Sequence, residues 1–177
     1  LTPRELLGAS FRAAVAAADP LQIVPAHLPK PPEGRTLVLA AGKAAASMAL
    51  AVENHWPADK KLFGIALTRY GHALTLERIR WVEAGHPVPD EAGEQAAREM
   101  LGAARAIKSA DLLLTLISGG GSALLSLPVD GVTISDLRAV TRGLLKSGAT
   151  IQEINTVRKH LSAIQGGRMA AACKAPV

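Results

Sequence analysis

Short continuous apolar runs alternate along this chain with segments whose apolar residues recur every three or four positions, a pattern that predicts strands interleaved with helices. Leu7, Phe11, Ala14, Val15 and Ala18 share helical spacing, so residues 4–18 are expected to form an amphipathic helix packed on something larger and ended by Asp19-Pro20. Residues 25–34 are a proline-rich connector, too stiff for regular structure. Thr36–Ala40 (TLVLA), Leu62–Thr68 (LFGIALT), Arg78–Val82 (RIRWV) and Leu112–Ile117 (LLLTLI) read as strands, and apolar runs of this kind suit a parallel sheet covered on both faces. The last of these is the most apolar and is expected at the centre.

Helices are expected over about Lys43–His55, from an N-cap at Asp90 with Ala97, Met100, Leu101, Ala104 and Ile107 on one face, and from Ser135 or Asp136 to a stop at Gly148. In that third helix Leu137, Val140, Leu144 and Leu145 share a side, and a fourth helix runs over Ile151–Gln165 to Gly166-Gly167. The fold class is therefore α/β: an open, mainly parallel, Rossmann-like sheet with helices on both faces. Residues 1–35 divide off as N-terminal helix and connector, and 36–177 as an α/β domain. Because Pro176-Val177 looks like the approach to a further strand, that domain reads as incomplete at its C-terminal end and as part of a longer two-domain protein.

Composition narrows the possibilities. A chain of 177 residues that is 49% apolar buries a core and is not a disordered tail. Gly, Ser and Pro interrupt its apolar stretches short of the roughly 18 residues a membrane span needs, so no membrane association is expected. No basic segment followed by an apolar run opens the chain, so no signal peptide is read. The single cysteine, Cys173, cannot form an internal disulfide or a zinc site, reads as buried filler, and favours a reducing, cytoplasmic setting. The net charge of +5 is uneven: residues 138–177 hold Arg138, Arg142, Lys146, Arg158, Lys159, Arg168 and Lys174 against Glu153 alone. That third of the chain is expected to face an anion. With aromatics at 3% there is little to stack on bases, so a small phosphorylated ligand fits better than nucleic acid.

In an open parallel sheet, ligands bind where strands run into helices, and two such loops have suitable chemistry. Ala41-Gly42-Lys43 would place Lys43 in the first turn of a helix, where a cation opposes the helix dipole unless an anion sits between them; a lysine simply extended into solvent is the alternative. Ser118-Gly119-Gly120-Gly121-Ser122 can turn successive amides toward an anion between two hydroxyls, although a flexible turn has the same composition. Asn155, Arg158, Lys159 and Ser162 are three or four apart and project from one side of a helix, as carboxylate or phosphate ligands or as a solvated face. His86, in Gly85-His86-Pro87-Val88-Pro89-Asp90, is an acid, base or ligand contact, or a histidine held for packing. The P-loop pattern is absent, since Leu37 stands at its first glycine and Ala44 follows Lys43. The dinucleotide fingerprint is also broken, because Leu124 occupies its last glycine. No histidine spacing or acid pair forms a metal motif.

The ordered set LVLAAGKAA, EAGHPVPDEAG, LLLTLISGGGSALL and GATIQEINTVRKHLSAIQGG resembles the N-terminal part of the glycerate 2-kinase family, some of whose members carry a hydroxypyruvate reductase label. The resemblance implies transfer of the γ-phosphoryl group of ATP, with Mg²⁺, to the 2-hydroxyl of D-glycerate, in a cleft completed by a second domain. It implies that Lys43, beside Gly42, stabilises the transferring group, that Ser118, Gly119, Gly120, Gly121 and Ser122 hold phosphate or the substrate carboxylate, and that Asn155, Arg158 and Lys159 contribute to the site. Metal ligands are unassigned. A nicotinamide-dependent reductase and a non-catalytic anion-binding domain are the alternatives.

Overall fold

The computed structural model describes residues 1–177. Thr36–Ala41 (β1) is buried at every position, as its uninterrupted apolar run requires. It pairs with Leu62–Arg69 (β2) on one side and Leu112–Ile117 (β4) on the other, and Ile79–Ala84 (β3) lies outside β2. The order is β3-β2-β1-β4, and every pair is parallel.

The most apolar strand therefore forms an edge of the four-stranded sheet, not its centre. Hydropathy reports whether a strand's two faces are covered, not how many strands flank it. Leu113 and Leu116 are buried in the two separate cores, while Ile117 is 56% exposed at the sheet's end. The outer edge of β4 meets the returning chain, where the Leu113 N–H donates to the Pro176 carbonyl at 2.9 Å.

Alternation along β1 divides the core. Leu37, Leu39 and Ala41 pack on Glu91–Ala106 (α4) through Ala97, Met100 and Leu101, whereas Val38 and Ala40 pack on Ala45–His55 (α3) through Ala49 and Val52. Helices on both faces thus follow from a period of two in the strands and 3.6 in the helices. Asp90 caps α4 as expected, its Oδ1 accepting from the Gly93 N–H at 3.0 Å.

The remaining helices depart from expectation in instructive ways. Pro3–Ala17 (α1) begins at a Thr2–Glu5 capping box, but none of its residues is buried: Leu7 is 72% and Phe11 71% exposed, so its apolar stripe lies open. A short helix, Pro20–Ile23 (α2), follows, and a 3₁₀ turn, Val24–His27, enters the start of the 25–34 connector, where the prolines suggested no regular structure, because proline fits the first position of a helical turn. After the four-residue Gly121–Leu124 (α5), Ile134–Lys146 (α6) is capped by Thr133, with Asp136 closing the capping box from inside the helix; neither Ser135 nor Asp136 is the cap. Ile151–His160 (α7) stops five residues early, because the chain turns back and Ala163 donates its N–H to the Leu127 carbonyl. Arg168–Ala171 (α8) follows, and Cys173 is half-buried instead of fully enclosed.

Candidate functional site

The chain passes from β1 to β2 on one side and returns through α4 to β4 on the other, so strand order reverses between β1 and β4. In open α/β sheets the crevice at such a reversal is where ligands bind. Ala41 and Ile117, the last residues of these strands, are register partners, and the two loops singled out by sequence therefore emerge side by side.

The loops interlock. Ser118 N–H donates to the Ala41 carbonyl (3.0 Å), Lys43 N–H to the Gly119 carbonyl (2.9 Å) and Ala44 N–H to Ser118 Oγ (3.0 Å). Gly42 has φ 130°, and a Cβ there would lie 2.2 Å from Ser118 Oγ, so only glycine fits. Lys43 lies in the turn before Ala44, the N-cap of α3, and not in the first helical turn. Its side chain is exposed and carries no ion pair.

Gly120, at φ 91°, is the meeting point of the site: a Cβ there would lie 2.8 Å from His86 Nε2 and 3.5 Å from Lys43 Cε. The amides of Gly119, Gly120 and Ser122 donate to no other group of the chain, while Gly121 N–H closes the turn onto the Ser118 carbonyl at 3.1 Å. Gln165 holds the loop from behind, its Nε2 donating to the carbonyls of Ser122 and Leu125, each at 2.8 Å.

A cleft of about 440 Å³ opens over this turn, lined by Ser118–Ser122, His86, Asn155 and Arg158. Arg158 Nε and Nη2 are buried without a partner, as is Asn155 Oδ1. Burial lowers the Arg158 pKa, but a guanidinium remains charged throughout the range in which proteins fold. Buried polar atoms left unpaired are costly, which suits a ligand that completes them.

His86 is held from both sides. Asp90 Oδ2 accepts from the Gly85 N–H and from the Tyr70 hydroxyl, each at 2.8 Å, and Arg138 Nε donates to the Pro89 carbonyl at 2.8 Å. Burial, then the nearby charges of Lys43, Arg69 and Arg158, push its pKa below the ordinary 6.5 and favour the neutral imidazole.

Two groupings read from sequence come apart. Asn155 and Arg158 line the cleft, but Lys159, turned about 100° from Arg158 on the helix, is exposed and does not. Ser162 lies beyond the helix end, its Oγ accepting from the Ile164 and Gln165 amides. The bases of the C-terminal third do not converge on one place. Arg138 reaches Pro89 and Glu91, Arg168 binds the carbonyls of Lys159 and Gln165, and Arg142, Lys146 and Lys174 are exposed. Charge counted along a segment cannot distinguish these directions. Arg69 was missed, although a cation directly after the buried Thr68 at the end of β2 is a readable signal; Gln165 offered none. No three His, Cys, Asp or Glu side chains gather as a metal site, and no helix is long and apolar enough to cross a membrane.

Fold and loop pairing together define a doubly wound α/β domain whose candidate ligand end is the β1/β4 rim. Its lineage is equally clear. Residues 6–177 match the family described as Domain of unknown function (DUF4147), and the chain belongs to it. It is 52% identical over 97% of its length to an Agrobacterium vitis protein with the provisional name hydroxypyruvate reductase, covering 39% of that protein. It is 47% identical over 78% of its length to the glycerate 2-kinase of Pyrococcus horikoshii, covering 31% of it. The crystal structure of glycerate kinase from Thermotoga maritima superposes with a TM-score of 0.80 at 36% identity, over 96% of this chain and 42% of that one. The α/β fold and the resemblance to glycerate 2-kinases are thus borne out, and the chain spans well under half the length of these relatives.

Proposed function

We propose that this chain supplies the phosphate-handling part of a glycerate 2-kinase, which transfers the γ-phosphoryl group of ATP to the 2-hydroxyl of D-glycerate. One observation carries the reading: the unpartnered Arg158 guanidinium and three free loop amides belong to one cleft at the sheet's switch point, with the Lys43 side chain beside its Gly120 turn. Phosphoryl transfer through a loose transition state demands positioning and charge neutralisation more than covalent chemistry, and these groups provide both. Lys43 opposes the charge of the transferring group. Gly42 allows the close approach of the loop Ser118, Gly119, Gly120, Gly121 and Ser122, whose free amides at Gly119, Gly120 and Ser122 hold phosphate oxygens. Asn155 and Arg158 anchor a substrate carboxylate or phosphate; Lys159 is left out because it faces solvent.

ATP implies Mg²⁺, but the cleft lining contains no carboxylate to hold a cation, so these residues do not fit the metal. A second domain of the same chain, joining residues 36–177 across the cleft, completes the site in this reading, and the cytoplasm, where glycerate and ATP meet, is its setting. The Agrobacterium relative's name keeps a reductase as the second reading; the broken dinucleotide fingerprint at Leu124 counts against it. The full-length protein decides between them. ADP release with glycerate and ATP is expected, and NADH oxidation by hydroxypyruvate without ADP release overturns the assignment.

A further inference from the structure

We infer that His86 accepts the proton of the substrate hydroxyl, through Nε2, as that oxygen attacks the phosphoryl group. The inference rests on the kinase reading above and adds a proton acceptor to it. Among the side chains lining the cleft, only the imidazole can take a proton near neutrality. The others are apolar, hydroxyl, amide or guanidinium groups, and no Asp or Glu reaches the surface of the cleft. The ring turns its Nε2 and Cδ2 edge toward the Gly120 turn, and Nε2 is engaged by no group of the chain. The other histidines with assigned partners are committed elsewhere: His55 to the Ala51 carbonyl, His160 to the Thr156 carbonyl and His72 to Arg69.

The loop that carries His86 is fixed by Asp90 and Arg138, so the ring is held before substrate arrives. The charged groups facing it are Lys43 from the β1–α3 loop, Arg69 from the end of β2 and Arg158 from α7; Asp90 in its own loop is already engaged by Gly85, Gly93 and Tyr70. Burial first, and then these cations, favour the unprotonated imidazole. Phosphate oxygens entering the cleft offset them, and the base becomes stronger when the reactants are in place. In the step itself the hydroxyl proton passes to Nε2 and the hydroxyl oxygen bonds to the γ-phosphorus. The bond from phosphorus to the bridging oxygen breaks, and ADP leaves with that electron pair.

The test uses the full-length protein, with glycerate and ATP as probes, and steady-state rates followed from acid to neutral pH. Wild-type kcat/KM is expected to fall with unit slope below a pH under 6.5, with the corresponding limb in kcat at higher pH. His86→Gln is expected to lower kcat by ~10²-fold, leave the glycerate KM within a few-fold, and abolish the limb. A variant that keeps both kcat and the limb, or raises KM alone, overturns the proton role and leaves His86 an anion contact. Should the variant not fold, the temperature dependence of the wild-type limb decides: a shift typical of imidazole ionisation supports the role, and the near-constant limb of a carboxylate removes it. A wild type that releases no ADP with glycerate defeats the kinase reading, a result separate from any effect of His86.

Discussion

The two ends of the β-sheet use similar residue types and differ in how fully those residues are satisfied. Where the strands begin, Asp111 accepts from the Arg35 guanidinium (3.0 Å) and from the amides of Arg35 (2.8 Å) and Lys108 (2.9 Å). Glu53 accepts from the amides of Glu77, Arg78 and Ile79, and Arg78 donates to the carbonyls of Trp56 and Lys60. Where the strands end, Lys43, Arg158 and three loop amides have no partner in the chain. Saturated charges fasten the fold together, and unsaturated ones are open to a ligand.

Three substitutions in the full-length protein can break or sharpen this contrast. The largest effect is expected of Lys43→Met, which should lower kcat for ADP release at least ~10²-fold with no loss of thermal stability; near-normal turnover would detach Lys43 from catalysis. Arg158→Met comes next. It should raise the KM for glycerate or ATP by ~10–100-fold, as expected for losing hydrogen bonds to a charged group, while Tm holds or rises because a buried, unpaired guanidinium has gone. A fall in Tm with unchanged KM would make Arg158 a structural residue.

Asp111→Asn should do the reverse, keeping kcat and lowering Tm by ~5 °C, since one buried carboxylate satisfies three donors. The pH dependence follows from the same contacts. The Arg35 guanidinium first, then the Lys108 and Arg35 amides, hold the Asp111 carboxyl well below the usual carboxylate range. Its contribution is therefore complete above the unfolded-state carboxylate pKa and is lost as pH falls through and below it. Urea midpoints measured down through that range should fall more steeply for the native sequence than for Asp111→Asn. Parallel curves would show that Asp111 carries no such linkage.

How legible each region is in the sequence depends on what its residues report. Apolar periodicity located all four strands and the buried face of α4, because burial is a local demand on side chains, but the same periodicity in α1 marks a stripe that lies open. It could not order the strands: LLLTLI is covered on both faces yet has β1 as its only strand neighbour. The lysine and triple-glycine loops were readable because each directly follows a buried strand, where a glycine with positive φ has a backbone task. The directions of Lys159 and of the exposed bases of α6 were not legible, because a count of charges carries no direction. Gln165 and Arg138 act on carbonyls 40 and 49 residues away in the chain, a distance over which no local pattern speaks.

The tight approach of residue 42 to Ser118 also couples segments 74 to 76 positions apart. A bulkier residue at 42 would collide with the hydroxyl that fastens Ala44, so the tolerance of either position depends on its counterpart. For a protein engineer the two turns are one mechanical part, to be redesigned jointly or left alone.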